Sequence, residues 1–245
     1  MTIRVYHGKM DALATLERLR TQLRESGSEE GRRTAARFFA HPIEAYGVRA
    51  TVLQQMAREL GPRVKQWPLA ERNRLCTELM KSGITEESAL AVYVYFRFKR
   101  QCARCEFQLF ERWIDRYVSN WAACDAVSTK LVAACVENEP GLMGEMREWT
   151  EAENLWKRRA AAVGLVVEAR RGRHLPFLLD TADRLLADRE EMVQKGVGWL
   201  LKETYPKHPE DTVDFLLRGK QRTTRLVLRY AAEKMTPSDK RKVLA

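Results

Sequence analysis

No apolar run in this 245-residue chain approaches the roughly 20 residues that a membrane-spanning helix needs. The longest, Ala160 to Val167, falls far short, so no membrane association is expected. The opening stretch, MTIRVYHGKM, lacks the apolar centre of a secretory signal. Cysteine is sparse and odd in number, at five, which argues against a disulfide scaffold and for a reducing compartment. A cytoplasmic location is expected, nucleoid-associated if the source is prokaryotic. Cys102 and Cys105 form a lone CxxC with no second pair and no histidine nearby, and Cys124 and Cys135 fall at apolar helix positions, so no metal site is expected. There is neither a Walker-type phosphate loop nor a GxGxxG turn, nor a helix-hairpin-helix signature, and no cofactor is expected. His7, His41, His174 and His208 are scattered and suggest no nucleophile–base pair. Strand signals are also missing: Tyr93–Phe96 has β-propensity but lies inside a helical window.

What the chain has in abundance is positive charge and helical periodicity. The net charge of +10 favours an acidic partner, most often nucleic acid. A hydrophobic fraction of 45% is ordinary for a globular protein and sufficient for a full core. Helices are expected over about Asp11–Arg24, Arg32–Ala40, Val48–Leu60, Pro68–Lys81, Thr85–Arg100, Arg104–Val118 and Trp121–Glu137. Others are expected over about Pro140–Trp149, Glu153–Arg170, His174–Ala187, Arg189–Tyr205, Pro209–Leu217, Arg222–Met235 and Ser238 to the end. Glu25–Gly31 reads as a polar turn, and Gly61-Pro62 as a helix stop. No Pro/Gly/Ser-rich linker interrupts the series, so residues 1–245 read as one domain. Trp121 and Arg159 are 38 residues apart, and Arg159 and Trp199 are 40 apart, the period of a HEAT-type two-helix repeat. The expected fold is therefore all-α, a right-handed α-solenoid of HEAT-like two-helix repeats.

In such a solenoid, side chains one repeat apart return to the same concave face. Trp121, Asp125, Arg159 and Trp199 would gather there, aromatic faces beside a carboxylate on a basic groove. That combination suits a cationic group carried on a polyanion, such as an alkylated purine in DNA. Trp121 and Asp125 are an i, i+4 pair in an otherwise apolar stretch, where an acid is costly unless it is paired or faces a cleft. The plainer reading of Asp125 is a structural ion pair, with Arg159 as the partner. Trp156-Lys157-Arg158-Arg159 reads equally as a solvated basic turn or a phosphate contact, with Trp156 and Arg159 on one face. The glycines of Gln194-Lys195-Gly196-Val197-Gly198-Trp199 favour close helix packing over a phosphate approach. Arg218 to Arg225 is a cationic loop entering a helix that Thr223 or Thr224 can cap, a natural phosphate site. Arg170-Arg171-Gly172-Arg173 is a similar loop, expected on the convex side.

Three motifs, Asn120-Trp121-x-x-x-Asp125, Asn154-Leu155-Trp156-x-x-Arg159 and Gln194 to Trp199, occur in this order and spacing. With Ala36-Arg37-Phe38 through Tyr46-Gly47-Val48-Arg49, they make the chain, from about Asp11 to about Lys234, resemble the HEAT-like-repeat DNA alkylation repair glycosylases of the AlkD-like type. The resemblance implies excision of cationic N3- and N7-alkylated purines from double-stranded DNA by a monomer. It implies that Trp121 and Trp199 line the lesion cleft, that Asp125 is the key carboxylate and that Arg159 contacts the nearby backbone. Phe38 stands where the family commonly has a tyrosine, so the ring is kept and the hydroxyl lost. Lys195, Arg222 and Arg225 complete the expected DNA-binding set. Two rival readings are a non-catalytic DNA-structure binder on the same scaffold and a HEAT-type protein-interaction adaptor. The Trp121/Asp125 pair favours the enzyme.

Overall fold

The computed structural model describes residues 12–245, all-helical with no strand among them. The N-terminal stretch read above, His7 and the expected helix start at Asp11 lie outside the described residues. The helices cluster into two compact units, residues 1–98 and 99–245.

The first unit contains α1 (Ala12–Ser26), α2 (Glu29–Ala36), α3 (Ala50–Val64), α4 (Leu69–Lys81) and α5 (Thr85–Phe96). The leucine stripe that marks α1 in the sequence is mostly a core stripe: Leu16, Leu19 and Leu23 are buried, while Leu13 is exposed. They join Leu75, Leu79 and Met80 of α4 and Leu90, Val94 and Tyr95 of α5 in one core. Two boundaries differ from expectation. The supposed turn before Gly31 is largely helix, because the Ser28 hydroxyl accepts the Gly31 N–H at 3.0 Å and starts α2 at Glu29. Helix α3 runs through Gly61-Pro62 to Val64 instead of stopping. Burial of Leu60, Gly61 and Val64 offsets the proline penalty of about 3 kcal/mol, and Gly61 leaves room for the Arg97 guanidinium that a Cβ would overlap. The segment after α2 is tied down by two acids of α5. Glu86 accepts the backbone N–H groups of Tyr46, Gly47 and Val48 at 2.9, 2.7 and 3.0 Å, and Glu87 accepts the Tyr46 hydroxyl at 2.7 Å.

The second unit begins with α6 (Arg104–Arg116) and α7 (Trp121–Ala126). A π-helical turn over Val127–Val132, in which Ala133 N–H bonds the Ser128 carbonyl, joins α7 to α8 (Ala133–Asn138). Then come α9 (Met143–Glu148), α10 (Leu155–Val163), α11 (Val166–Arg171), α12 (Leu175–Leu185), α13 (Glu191–Thr204), α14 (Pro209–Gly219), α15 (Arg225–Ala231) and α16 (Pro237–Leu244). The helix expected over Glu153–Arg170 is split at Gly164-Leu165, where a Cβ on Gly164 would come within 2.7 Å of the Met146 methyl. Along the series α7 packs on α10, α10 on α13, and α13 on α15. Each helix meets its predecessor and its successor one repeat away, the nearest-neighbour stacking of an α-solenoid. Behind this row, Phe107 stacks on Trp149 at 4.9 Å beside Phe110 and Trp113, all fully or nearly fully buried.

Candidate active site and nucleic-acid interface

Two asparagine caps set the register of the site. The Asn120 side chain accepts the Ala123 N–H at 3.0 Å, which makes Trp121 the first residue of α7 and puts Asp125 one turn later on the same face. The Asn154 side chain accepts the Trp156 N–H at 2.8 Å and donates to the Asp115 carbonyl at 3.2 Å, fixing the start of α10 against the end of α6. Arg159 then lies opposite Asp125. Its Nε and Nη2 donate to the two carboxylate oxygens at 2.8 and 2.9 Å, a bidentate pair, and its Nη1 donates to the Met192 carbonyl in the first turn of α13. One guanidinium thereby links α7, α10 and α13. The ion pair that the plainer reading of Asp125 anticipated is present.

The pair is asymmetric. The Arg159 side chain is 6% exposed and that of Asp125 17%, so the carboxylate is the end that opens to the surface. Burial pushes the Asp125 carboxyl above its ordinary pKa, although the Arg159 hydrogen bonds and charge pull the other way. For Arg159 burial lowers the pKa, but the bonds and charge of Asp125 outweigh it and hold the guanidinium protonated.

Trp199 lies two helices along the row, on α13. On that helix the buried positions Val193, Val197, Leu200 and Leu201 face the core, while Lys195, Trp199 and Lys202 share the opposite, half-exposed face. The indole Nε1–H donates to Glu203 Oε1 at 3.2 Å, and the Arg170 guanidinium of α11 lies 5.9 Å from the ring centroid. Glu203 also pairs with Arg170 at 3.1 Å and with Lys234 at 2.6 Å. Burial tends to raise the Glu203 carboxyl, but these two cations outweigh it and hold it down at about 2. The glycines before Trp199 serve helix packing. A Cβ at Gly196 would touch the Arg159 stem at 3.4 Å, and one at Gly198 would overlap the Tyr230 Cβ of α15.

The remaining candidates are distributed more widely. Phe38 belongs to the first unit, just past α2, and is 69% exposed. Lys195 pairs with Glu191 one turn earlier, Arg222 pairs with Asp183, and Arg225 donates to the Leu244 carbonyl at 2.9 Å. Thr224 rather than Thr223 caps α15, accepting the Val227 N–H. The basic run at the start of α10 is neither a solvated turn nor an open cluster. Lys157 pairs with Glu111 and Asp115, and Arg158 with Asp188. The Arg170–Arg173 loop is likewise engaged, with Glu203, Glu137 and Glu168. Sequence reasoning missed Met192, whose role is purely a backbone carbonyl and leaves no side-chain signal. It also missed Glu203, which the i, i+4 spacing from Trp199 does signal.

The descriptor "DNA alkylation repair enzyme" belongs to the family model that matches residues 19–235. Among solved structures, a predicted DNA alkylation repair enzyme from Enterococcus faecalis superposes with a TM-score of 0.77 at 16% identity, over 86% of this chain and 98% of that one. The crystal structure of smu.31 from Streptococcus mutans UA159 gives a TM-score of 0.61 at 18% identity, over 76% and 92%. Identities this low establish a shared fold and nothing about chemistry. No curated protein matches by sequence. The family match spans nearly the whole chain and takes in Phe38, Trp121, Asp125, Arg159, Lys195, Trp199, Arg222 and Arg225, and the chain belongs to the DNA alkylation repair enzyme family.

Proposed function

We propose that this protein is a DNA glycosylase that releases cationic N3- and N7-alkylated purines from duplex DNA, working as a monomer without metal or cofactor in the cytoplasm or on the nucleoid. The observation that carries the reading is the Asp125 carboxylate, held by both oxygens on a buried guanidinium, open on its outer side and one turn from Trp121.

Alkylation at N3 or N7 gives the purine a positive charge, so it is already a good leaving group and needs little general-acid help. As the glycosidic bond breaks, positive charge moves onto the sugar as an oxocarbenium ion. Fixed negative potential aimed at that charge lowers the barrier. Asp125 supplies it and can orient the attacking water. Pairing with Arg159 cancels much of the net charge, but the outer, negative end of the pair faces the substrate side. We assign Arg159 the task of fixing this orientation, since its side chain is only 6% exposed and all three of its nitrogens are occupied. Trp121 and Trp199 offer cation–π and CH–π attraction worth about 0.5–2 kcal/mol each. Phe38, exposed on the first unit, offers DNA an aromatic ring without a hydroxyl. Lys195, Arg222 and Arg225 meet phosphates, the first two exchanging surface ion pairs worth about 0–1 kcal/mol, and Arg225 a hydrogen bond to the Leu244 carbonyl, for charge-assisted contacts to DNA.

Single-turnover release of 7-methylguanine or 3-methyladenine, measured beside equilibrium binding, tests the reading. Asp125→Asn should slow release by about 10²–10³-fold, from loss of about 3–4 kcal/mol of transition-state stabilisation, with DNA binding retained. Because the substitution leaves Arg159 without its counter-charge, thermal melts must establish that the variant is folded at the assay temperature. Uracil should not be released even by the wild type, as a neutral base is a poor leaving group. Equal rates for wild type and variant would refute the role of Asp125. Binding without release by either would favour the non-catalytic DNA-structure binder.

A further inference from the structure

Trp199 is tied into a polar network of its own, separate from the Asp125–Arg159 pair. Glu203 lies one turn behind it on α13 and is 5% exposed. Its Oε1 accepts the indole N–H at 3.2 Å, and its carboxylate receives Arg170 from α11 at 3.1 Å and Lys234, just past α15, at 2.6 Å. Arg170 completes the circuit by lying over the indole ring. Three helical segments of the second unit therefore meet at one buried acid that also accepts the Trp199 indole N–H. An indole on a helix surface otherwise has free choice of χ angles, and a ring that is to stack on a nucleotide gains from having that choice removed beforehand. A structural ion pair alone would not require a carboxylate oxygen aimed at the indole edge.

We infer that Glu203 is a positioning residue for Trp199: it anchors the indole N–H edge and, through Arg170 and Lys234, locks the ring in the orientation in which it meets the lesion nucleotide. The stacking role of Trp199 in this statement rests on the proposed glycosylase reading, but the anchoring does not. The charge of Glu203 persists throughout the neutral range, because its two cations keep it ionised, so the anchor is constant under working conditions. Arg170 and Lys234 are both solvent-exposed on their outer sides, so removing the carboxylate leaves no buried, unpaired cation.

Two measurements decide the matter. In the ¹⁵N-labelled protein the Trp199 indole resonance is assigned by its loss in Trp199→Phe. Glu203→Ala should shift that resonance and speed its hydrogen exchange, whereas Glu203→Gln, which keeps an acceptor, should move it less. An unmoved resonance in Glu203→Ala overturns the anchoring, whatever the activity. In single-turnover base release, Glu203→Ala should slow the reaction by about 2- to 30-fold, the range for a lost cation–π contact, and Glu203→Gln should recover most of the rate. The double variant Trp199→Ala/Glu203→Ala should be no slower than Trp199→Ala alone. Wild-type release by Glu203→Ala, or an undiminished effect of the second substitution in the double variant, overturns the positioning role. If the wild type releases no base, the glycosylase reading fails and the resonance alone decides the anchoring. Should Glu203→Ala fail to fold, Glu203→Asp replaces it. It keeps the charge but retracts the acceptor by one methylene, with the same expected shift and slowing and the same refuting results.

Discussion

Asp125 and Glu203 are both largely buried acids with cationic partners, yet the balance of forces on them differs in sign. Burial dominates at Asp125, where one guanidinium faces it, and raises its pKa. At Glu203 burial is again the largest single influence, but two cations together outweigh it and lower the pKa to about 2 from 4.5. The consequences for pH are opposite. A folded-state pKa above the unfolded value means the folded protein holds the proton more tightly, so the stability Asp125 contributes falls as pH rises through its window. A folded-state pKa below the unfolded value means Glu203 contributes stability that is complete above about 4.5 and lost as the pH falls toward about 2. Thermal melts of Glu203→Gln should therefore lose less stability than the wild type over that acid range. The chemical step should follow Asp125. Single-turnover base release is expected to decline on acidification at a higher pH than an exposed aspartate would dictate, and the residual rate of Asp125→Asn should lack that limb. A wild-type profile flat down to the ordinary aspartate range would argue against a titrating carboxylate in the step.

At the scale of the element, α13 packs closely on both α10 and α15, and there sequence pattern alone is poorly informative. Gly196 and Gly198 look alike in the motif, and each is unfavourable in a helix by about 1 kcal/mol relative to alanine. They are not alike in the fold. Gly196 lies against the Arg159 stem and Val163 at ordinary contact distance for an added methyl, whereas Gly198 lies directly under Tyr230. Gly196→Ala should be neutral or stabilising by up to about 1 kcal/mol. Gly198→Ala should destabilise by about 1–3 kcal/mol, because α15 must move away from α13. Denaturant unfolding of the two variants side by side measures the difference. Equal effects would mean that α13 and α15 are not in this close contact. The π turn after Asp125 makes the same point. Val127 to Val132 has no glycine or proline to mark an irregularity, and only packing in the row of helices selects it.

For the molecule as a whole, charge decides the partner. Both units carry more lysine and arginine than aspartate and glutamate, within a net charge of +10. Much of that charge is already committed to ion pairs inside the second unit, as at Lys157, Arg158 and Arg173. DNA affinity should therefore fall with salt, by about 0.9 log unit per log unit of salt for each phosphate neutralised. Lys195→Ala, Arg222→Ala and Arg225→Ala should each weaken binding to damaged and undamaged duplexes alike and reduce the salt slope by about 1. Binding constants measured from low to physiological salt check this, and a flat response would refute the groove assignment.

The sequence by itself determined the all-helical class, the two-helix period and the basic character, because these depend on local periodicity and composition. It also marked Trp121, Asp125, Arg159 and Trp199 as a set, since a repeat fold converts a fixed spacing along the chain into a fixed displacement in space. Only the tertiary structure decided what those residues do to one another. That Arg159 grips Asp125 and reaches the Met192 carbonyl, that Glu203 collects Trp199, Arg170 and Lys234, and that α3 continues through Pro62 all depend on which neighbours are present and how much water is excluded. Charge pairing, pKa and the cost of a glycine or proline are set by surroundings assembled from segments 30 or more residues apart, as the separations of 34, 33 and 31 at Asp125–Arg159, Arg170–Glu203 and Lys234–Glu203 illustrate. No local pattern encodes that environment.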